Sequence, residues 1–206
     1  AVGQQLQWKR REVVMSTEVK VLIVGPKNSG KSALANFIAD AVQNSENPAQ
    51  APTQPTKGCR IVEFDRQIPQ KKGNSNISVE LWDVSGDRAF EGAWPAIMHG
   101  GVGIIYVYDA ANVGEEKDLE KWHGWFGQTM GLKDSQVLVM AHKKTDIKTH
   151  KGSLPKSLSH AQSVSTTLED NQSIIKEHFD RFLLQVAQAA SENRKKEEDM
   201  IAGSNQ

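Results

Sequence analysis

Several things are scarce in this 206-residue sequence, and each scarcity narrows the reading. There is one cysteine, Cys59, which excludes an internal disulfide and a four-thiolate zinc site and agrees with a reducing compartment. Charge of one sign is not in excess. Lys plus Arg and Asp plus Glu both number 25, whereas a dedicated nucleic-acid binder normally carries a basic surplus. The same balance removes a polybasic membrane patch. No run of about 18 apolar residues occurs, so nothing reads as a membrane-spanning helix. The first 14 residues, with Trp8-Lys9-Arg10-Arg11, lack the apolar stretch of a secretory signal. Met15-Ser16-Thr17 reads as a natural start. Residues 1–14 are therefore expected to be an upstream extension or a cloning remnant without order of its own.

What remains is ordinary globular composition, 38% hydrophobic and 24% charged, enough for one buried core. Strand-like and helix-like patterns alternate. Val19 to Val24 is a short β-branched run ending at Gly25. Ser32 to Val42 sets Leu34, Phe37, Ile38, Ala41 and Val42 on one helical face. Residues 44–58 carry Pro48, Pro52 and Pro55 and read as a loop. Arg60 to Asp65 and Ile77 to Leu81 are strand candidates, with the polar stretch Gln67–Asn76 as the hairpin connection. Val102 to Tyr108 is nearly all apolar, as a central strand covered on both faces should be. Glu115 to Met130 has helical spacing, Gln136 to Ala141 is a fifth strand, and Ser153 with Pro155 can open a short helix. Asn171 to Ala190 carries a continuous apolar stripe. From Ser191 onward the charged chain is expected to fray or be disordered. The pattern predicts an α/β fold, a mostly parallel sheet with helices on both faces, over residues 15–190 and a polar tail over 191–206. Ligands in such sheets bind at the carboxyl ends of strands. The loops after Val24, Asp83, Tyr108 and Ala141 are thus the places to look.

The strongest motif is Gly25-Pro26-Lys27-Asn28-Ser29-Gly30-Lys31-Ser32, which fits Gly-x-x-x-x-Gly-Lys-Ser/Thr between a strand and a helix. Main-chain amides in such a loop face phosphate oxygens, and the helix N-terminus adds partial positive charge. Lys31 supplies a full charge to the β- and γ-phosphates, and the Ser32 hydroxyl can ligate Mg²⁺. Four fixed positions arise by chance in roughly 1% of chains of this length, and the flanking strand and helix lower that further. Asp83-Val84-Ser85-Gly86 ends the next strand. Asp83 can hold Mg²⁺ through water, and the Gly86 N–H can meet the γ-phosphate. Alone the tetrapeptide means little, but its place at a strand end past the phosphate loop gives it weight; a turn is the plain alternative. Thr56, in a loop, can close over Mg²⁺ with its hydroxyl or be an ordinary loop residue. Asp146 follows the fifth strand, where a carboxylate can accept two hydrogens from the guanine edge while the Lys144 stem lies along the base plane. A solvated charged loop is the plain alternative.

With these elements in this order the chain resembles the Ras-like small GTPases of the P-loop NTPase class, particularly their Rab-like branch, over residues 19–190. Gly25-Pro26, Pro52-Thr53-Gln54-Pro55-Thr56-Lys57-Gly58, Glu80-Leu81-Trp82-Asp83, Trp94-Pro95-Ala96-Ile97-Met98 and Ala141-His142-Lys143-Lys144 look like the Rab-like GTPases of the intraflagellar transport B complex. Lys151-Gly152-Ser153-Leu154 and Leu168-Glu169-Asp170 add to the match. The resemblance implies GTP or GDP with Mg²⁺ as ligands. It implies the paired coiled-coil subunits of the complex B core as partners, with no nucleic acid. It also implies a place in the cilium or flagellum and basal body, with a cytoplasmic pool.

The chain departs from the small-GTPase pattern at three places. Asp87 stands where glutamine normally orients the attacking water; an ionised aspartate cannot donate, and its charge opposes the γ-phosphate. Hydrolysis is therefore expected to be slow or absent without a partner, with an active GTPase of ordinary turnover as the alternative. Arg88, next along, can supply charge in cis. Lys143 replaces the usual asparagine and offers no acceptor, so guanine preference rests on Asp146. Ser165-Thr166 stands in for the last base-contacting loop, with Thr166 its candidate contact. The ending lacks a cysteine to prenylate, so recruitment is expected through protein contacts rather than a direct lipid anchor.

Among other residues, Trp122 and Phe126 share a helical face and are expected in the core. Trp125 lies off it. Trp94 suits core and interface equally, and His142 reads as a polar loop residue. A P-loop kinase is disfavoured, since its lid needs several arginines and only Arg88 lies between Gln67 and Asp180.

Overall fold

The computed structural model describes residues 16–42, 54–71, 73–143, 153–169 and 172–203. Six strands form one sheet in the order β2-β3-β1-β4-β5-β6. They are β1 (Thr17–Val24), β2 (Cys59–Gln70), β3 (Gly73–Val84), β4 (Gly103–Asp109), β5 (Val137–Lys143) and β6 (Gln162–Thr167). β2 and β3 pair antiparallel as a hairpin, and every other neighbouring pair is parallel. The helices are α1 (Lys31–Val42), α2 (Trp94–Met98), α3 (Glu115–His123) and α4 (Gln172–Gly203). Among them none is long and apolar enough to cross a membrane.

The core is split by the sheet into two layers because strand side chains alternate faces. On one side Val19, Val21, Ile23, Leu81, Ile105, Val107 and Leu138 meet Leu34 and Ile38 of α1 and Phe179, Phe182, Leu183 and Val186 of α4. On the other, Leu22, Ile104, Tyr106 and Val139 meet Ile97, Leu119, Trp122 and Phe126. β4 is buried along its first six residues, as its unbroken apolar run predicts. Each fully buried Leu, Ile or Phe removes apolar area worth about 1.5–3 kcal/mol. The outer hairpin is tied to α4 by Arg66, whose Nε and Nη2 donate to the two oxygens of Asp180 at 2.7 and 2.6 Å. This forked pair is only 10% and 20% exposed, so it is sheltered from screening and fixes β2 on α4.

Four sequence expectations change. The polar stretch Gln67–Asn76 is not a loose connection: β2 and β3 stay paired up to Gln70 and Gly73. Alternating exposure needs no hydrophobic residues on the solvent face, and Ile68 and Ile77 supply the buried one. β6 carries too little apolar alternation to read as a strand, yet it pairs with β5 from Gln162 to Thr167. The helix over Glu115–Met130 becomes a π-turn at Gly124–Gln128, where the Tyr106 hydroxyl accepts from the Gly127 N–H at 3.1 Å. Finally, the charged stretch after Ser191 is helical as far as Gly203. Glu, Lys and Arg are strong helix formers, and an existing helix extends without a new nucleation cost. Residues 191–202 there are solvent-exposed. Residues 1–14 lie outside the described residues.

Candidate functional site

The loop of residues 25–30 joins the buried carboxyl end of β1 to α1, whose first two residues are Lys31 and Ser32. The loop backbone reverses sharply, with Asn28 at φ 60° and Gly30 at φ 92°. Two polar side chains are pulled inside, Ser29 fully buried and Lys31 only 5% exposed. The Lys31 ammonium donates to the carbonyls of Gly25 at 3.0 Å and Pro26 at 2.6 Å, which folds its side chain back along the loop. The wall behind the loop is His142 of β5. It is 2% exposed, its Nδ1 lies 3.1 Å from the Thr166 hydroxyl, and its ring leaves no room for a Cβ at Gly30.

The carboxyl end of β3 closes the other side. A Cβ at Gly86 would fall 2.5 Å from the Lys27 nitrogen and 2.6 Å from the Pro26 carbonyl carbon, so the two loops touch backbone to backbone. The Ser85 N–H donates to the Gly58 carbonyl at 2.8 Å, which brings the Thr56 segment against the same end. A cavity of about 550 Å³ results, lined by Lys27–Ser32, Gln54–Lys57, Val84–Asp87 and Phe90.

At the base of the cavity the hydroxyls of Ser32 and Thr56, which line it, converge on the carboxylate of Asp83 just beneath. The Ser32 and Thr56 hydroxyls share a hydrogen bond of 2.9 Å, and Thr56 donates to Asp83 Oδ2 at 3.1 Å. Asp83 is fully buried, and its Oδ1 has no partner among the described residues. A buried carboxylate oxygen left unpaired is costly, and a hard divalent cation, directly or through its water, satisfies it. Two hydroxyls and one carboxylate beside a phosphate loop are the oxygen donors Mg²⁺ takes. The residues present therefore fit that ion.

Arg60 is a member of this site that sequence reasoning missed. Its Nη2 donates to Asp83 Oδ2 at 3.3 Å and to the Ser32 carbonyl at 3.4 Å. Antiparallel register sets Arg60 directly opposite Asp83; the signal was there, but only once β2 and β3 are paired. Cys59 beside it is half-buried. Desolvation, then the negative Asp83 nearby, pushes its thiol up to about 11.

The segment after Gly86 departs from its expected use. Asp87 caps a 3₁₀ turn over Arg88–Ala93 by accepting from the Ala89 N–H at 3.0 Å. It also pairs with the Lys27 ammonium at 2.8 Å. The Lys27 hydrogen bond, then that of Ala89, holds its carboxyl below the usual carboxylate range. Arg88 is turned toward Glu91, at 3.1 and 2.9 Å, and toward the Trp125 ring, not into the cavity. Trp94 is core, 7% exposed, in tilted contact with Trp122, Trp125 and Phe126 at centroid distances of 5.8, 5.3 and 4.9 Å.

Of the predicted residues, Lys27, Asn28, Ser29, Gly30, Lys31, Ser32, Thr56 and Gly86 line one cavity, and Gly25, Pro26 and Asp83 stand directly behind its wall. Thr166 does not stand in a loop. It lies within β6, 3% exposed, and its hydroxyl meets His142. His142 itself is a strand residue, not a loop residue. Lys144 and Asp146 lie outside the described residues.

Comparison with known proteins agrees with this geometry. The family described as "Ras of Complex, Roc, domain of DAPkinase" matches residues 20–146. The chain is 35% identical over 187 residues to the human intraflagellar transport protein 22 homolog, covering 89% of this chain and 98% of that protein. It is 36% identical over 186 residues to the Xenopus tropicalis homolog, at the same coverage. Among solved structures, the GTP-bound Trypanosoma brucei IFT22/74/81 crystal structure superimposes with a TM-score of 0.65 at 30% identity, over 82% of this chain and 94% of that one. A phosphate loop at the end of β1, an acidic strand end opposite it and relatives alike over nearly their whole length leave one assignment: this chain belongs to the intraflagellar transport protein 22 family of Ras-like small GTPases.

Proposed function

We propose that this protein is a guanine-nucleotide-bound docking module of the intraflagellar transport B machinery, acting in cilium or flagellum assembly, with little or no hydrolysis of its own. The observation that carries the reading is the half-buried pair of hydroxyls of Ser32 and Thr56 meeting the buried carboxylate of Asp83 beside the Lys31 loop. Loop amides and Lys31 hold the phosphates of GTP or GDP; Ser32, Thr56 and Asp83 hold Mg²⁺, which neutralises phosphate charge when bound. Asp146 and Lys144 read the base. Because Thr56 belongs to the loop before β2, its hydroxyl ties that loop to the ligand and makes it part of the docking surface.

The similarity to a Trypanosoma brucei protein solved with IFT74 and IFT81 supports the paired coiled-coil subunits of the complex as partners. It supports the cilium or flagellum, basal body and a cytoplasmic pool as places of work. Slow turnover follows from the residue after Gly86. The Asp87 side chain, an ionised carboxylate, only accepts hydrogen bonds, while Arg88 is turned toward Glu91 and the Trp125 ring. Asp87 has no side-chain donor for an attacking water, and the Arg88 guanidinium points away from the cavity.

Denaturing the purified protein and identifying the released nucleotide tests the first half. Guanine nucleotide is expected, and Lys31→Ala abolishes binding by calorimetry. ATP, or undiminished binding by that variant, contradicts the site. Single-turnover hydrolysis no faster than on the order of 10⁻⁴ s⁻¹, the unassisted rate of a small GTPase, is expected. Faster turnover favours the active-switch alternative.

A further inference from the structure

The ion pair between Lys27 and Asp87 joins the two loops that meet over the cavity. Lys27 belongs to the phosphate loop itself, and Asp87 follows Gly86, whose backbone touches that loop. Both line the 550 Å³ cavity, and their charged atoms are 2.8 Å apart. Both side chains are partly open to solvent, 60% and 38% exposed. An ion pair so placed contributes little stability and is readily exchanged.

We propose that Lys27 and Asp87 form an exchangeable charge pair across the phosphate cradle, in which the terminal phosphate of a bound nucleoside triphosphate replaces the Asp87 carboxylate on the Lys27 ammonium. The inference rests on the nucleotide-binding reading above and adds how the site tells a triphosphate from a diphosphate. A γ-phosphate beside Gly86 and an ionised carboxylate at the next residue repel each other. Among the described residues the ammonium paired with Asp87 is that of Lys27, and the more highly charged anion wins it. A diphosphate leaves no anion at that end of the cradle, so the Lys27–Asp87 pair stays closed. The exchange reaches beyond the pair because Asp87 is fixed to its surroundings twice. Its N–H donates to the Ser85 hydroxyl at 3.2 Å, and its carboxylate caps the Arg88–Ala93 turn. The far end of that turn is anchored by Trp94 in its aromatic cage. Releasing Asp87 therefore reorients a short turn between a moving cap and a fixed tryptophan.

The test is calorimetric binding of GDP and of a non-hydrolysable GTP analogue, with magnesium, to the full chain and to Lys27→Met and Asp87→Asn. Losing a charge-assisted contact to phosphate weakens affinity by roughly tenfold or more. Lys27→Met is expected to weaken the analogue by about that factor, with GDP changed less than about threefold. Asp87→Asn is expected to act oppositely, raising the analogue-to-GDP affinity ratio, and the double variant should bind the analogue more tightly than Lys27→Met, since the repelling carboxylate is gone, but more weakly than Asp87→Asn. Equal weakening of both nucleotides by Lys27→Met, or an unchanged ratio in Asp87→Asn, overturns the exchange while leaving the nucleotide site standing. A wild-type chain that binds neither nucleotide refutes the site and the exchange together.

Discussion

Replacing Gly30 by alanine should damage the phosphate loop in two separable ways. The first is conformational. Gly30 sits at φ 92°, where an L-residue costs about 1–2 kcal/mol. The second is steric. The new methyl would fall 2.3 Å from His142 Cδ2 and 3.0 Å from Nε2. The ring cannot swing away freely, because it is buried in β5 and bonded to Thr166 through Nδ1. Forcing a methyl into a packed site adds roughly 1–3 kcal/mol. Gly30→Ala is thus expected to lose about 3 kcal/mol in all, or roughly 6–12 °C in Tm for a chain of this size. His142→Ala alone leaves a cavity and an unpaired threonine hydroxyl, costing about 2–3 kcal/mol. The double variant decides the matter. With the ring gone, the steric part vanishes and only the conformational part remains, so the two losses should fall short of additivity by about 1–3 kcal/mol. Urea denaturation of the four proteins, free of nucleotide, measures this directly. Additivity within about 0.5 kcal/mol would show that His142 does not wall the loop.

Other outcomes follow from buried polar contacts. Tyr106→Phe removes the hydroxyl that accepts from the Gly127 N–H and meets His123 Nδ1 at 3.2 Å. With both partners buried, a loss of about 1–3 kcal/mol is expected in denaturant unfolding, and a change under about 0.5 kcal/mol would deny the hydroxyl any part in the π-turn. Cys59, raised from 9.0 to about 11 by burial and by Asp83, should react with maleimide at pH 8 roughly a hundredfold more slowly than an unperturbed thiol. The folded thiol keeps its proton longer than the unfolded one, so its contribution to stability is full below pH 9 and is lost as pH rises toward about 11. Alkylation at the rate of a free peptide cysteine would contradict this.

The parts of the site that were legible in sequence are the parts that are local. Eight consecutive residues make the phosphate loop, and Asp83-Val84-Ser85-Gly86 ends a strand whose alternation is plain. What was missed depends on register or on distant packing. Arg60 joins the site because β2 pairs with β3 at that residue. His142 becomes a wall because β5 lies beside β4 and buries it. β6 was invisible because an edge strand of Gln, Ser and Thr buries little, so hydrophobic periodicity has nothing to report. The helical stretch beyond Ser191 was misread because charge density signals disorder and a helix extension alike.

By itself, then, the order of residues determined the alternating α/β plan and the place of the phosphate loop, since both follow from short-range patterning and the steric needs of a few positions. Tertiary structure alone decided that Asp83 is buried beneath Ser32 and Thr56, with one oxygen unpartnered among the described residues. It also decided that Trp94 is core and that Lys27 meets Asp87. These facts depend on which strand ends come to lie within a few ångströms of one another, and such distances are set by sheet order and burial, which no local segment encodes.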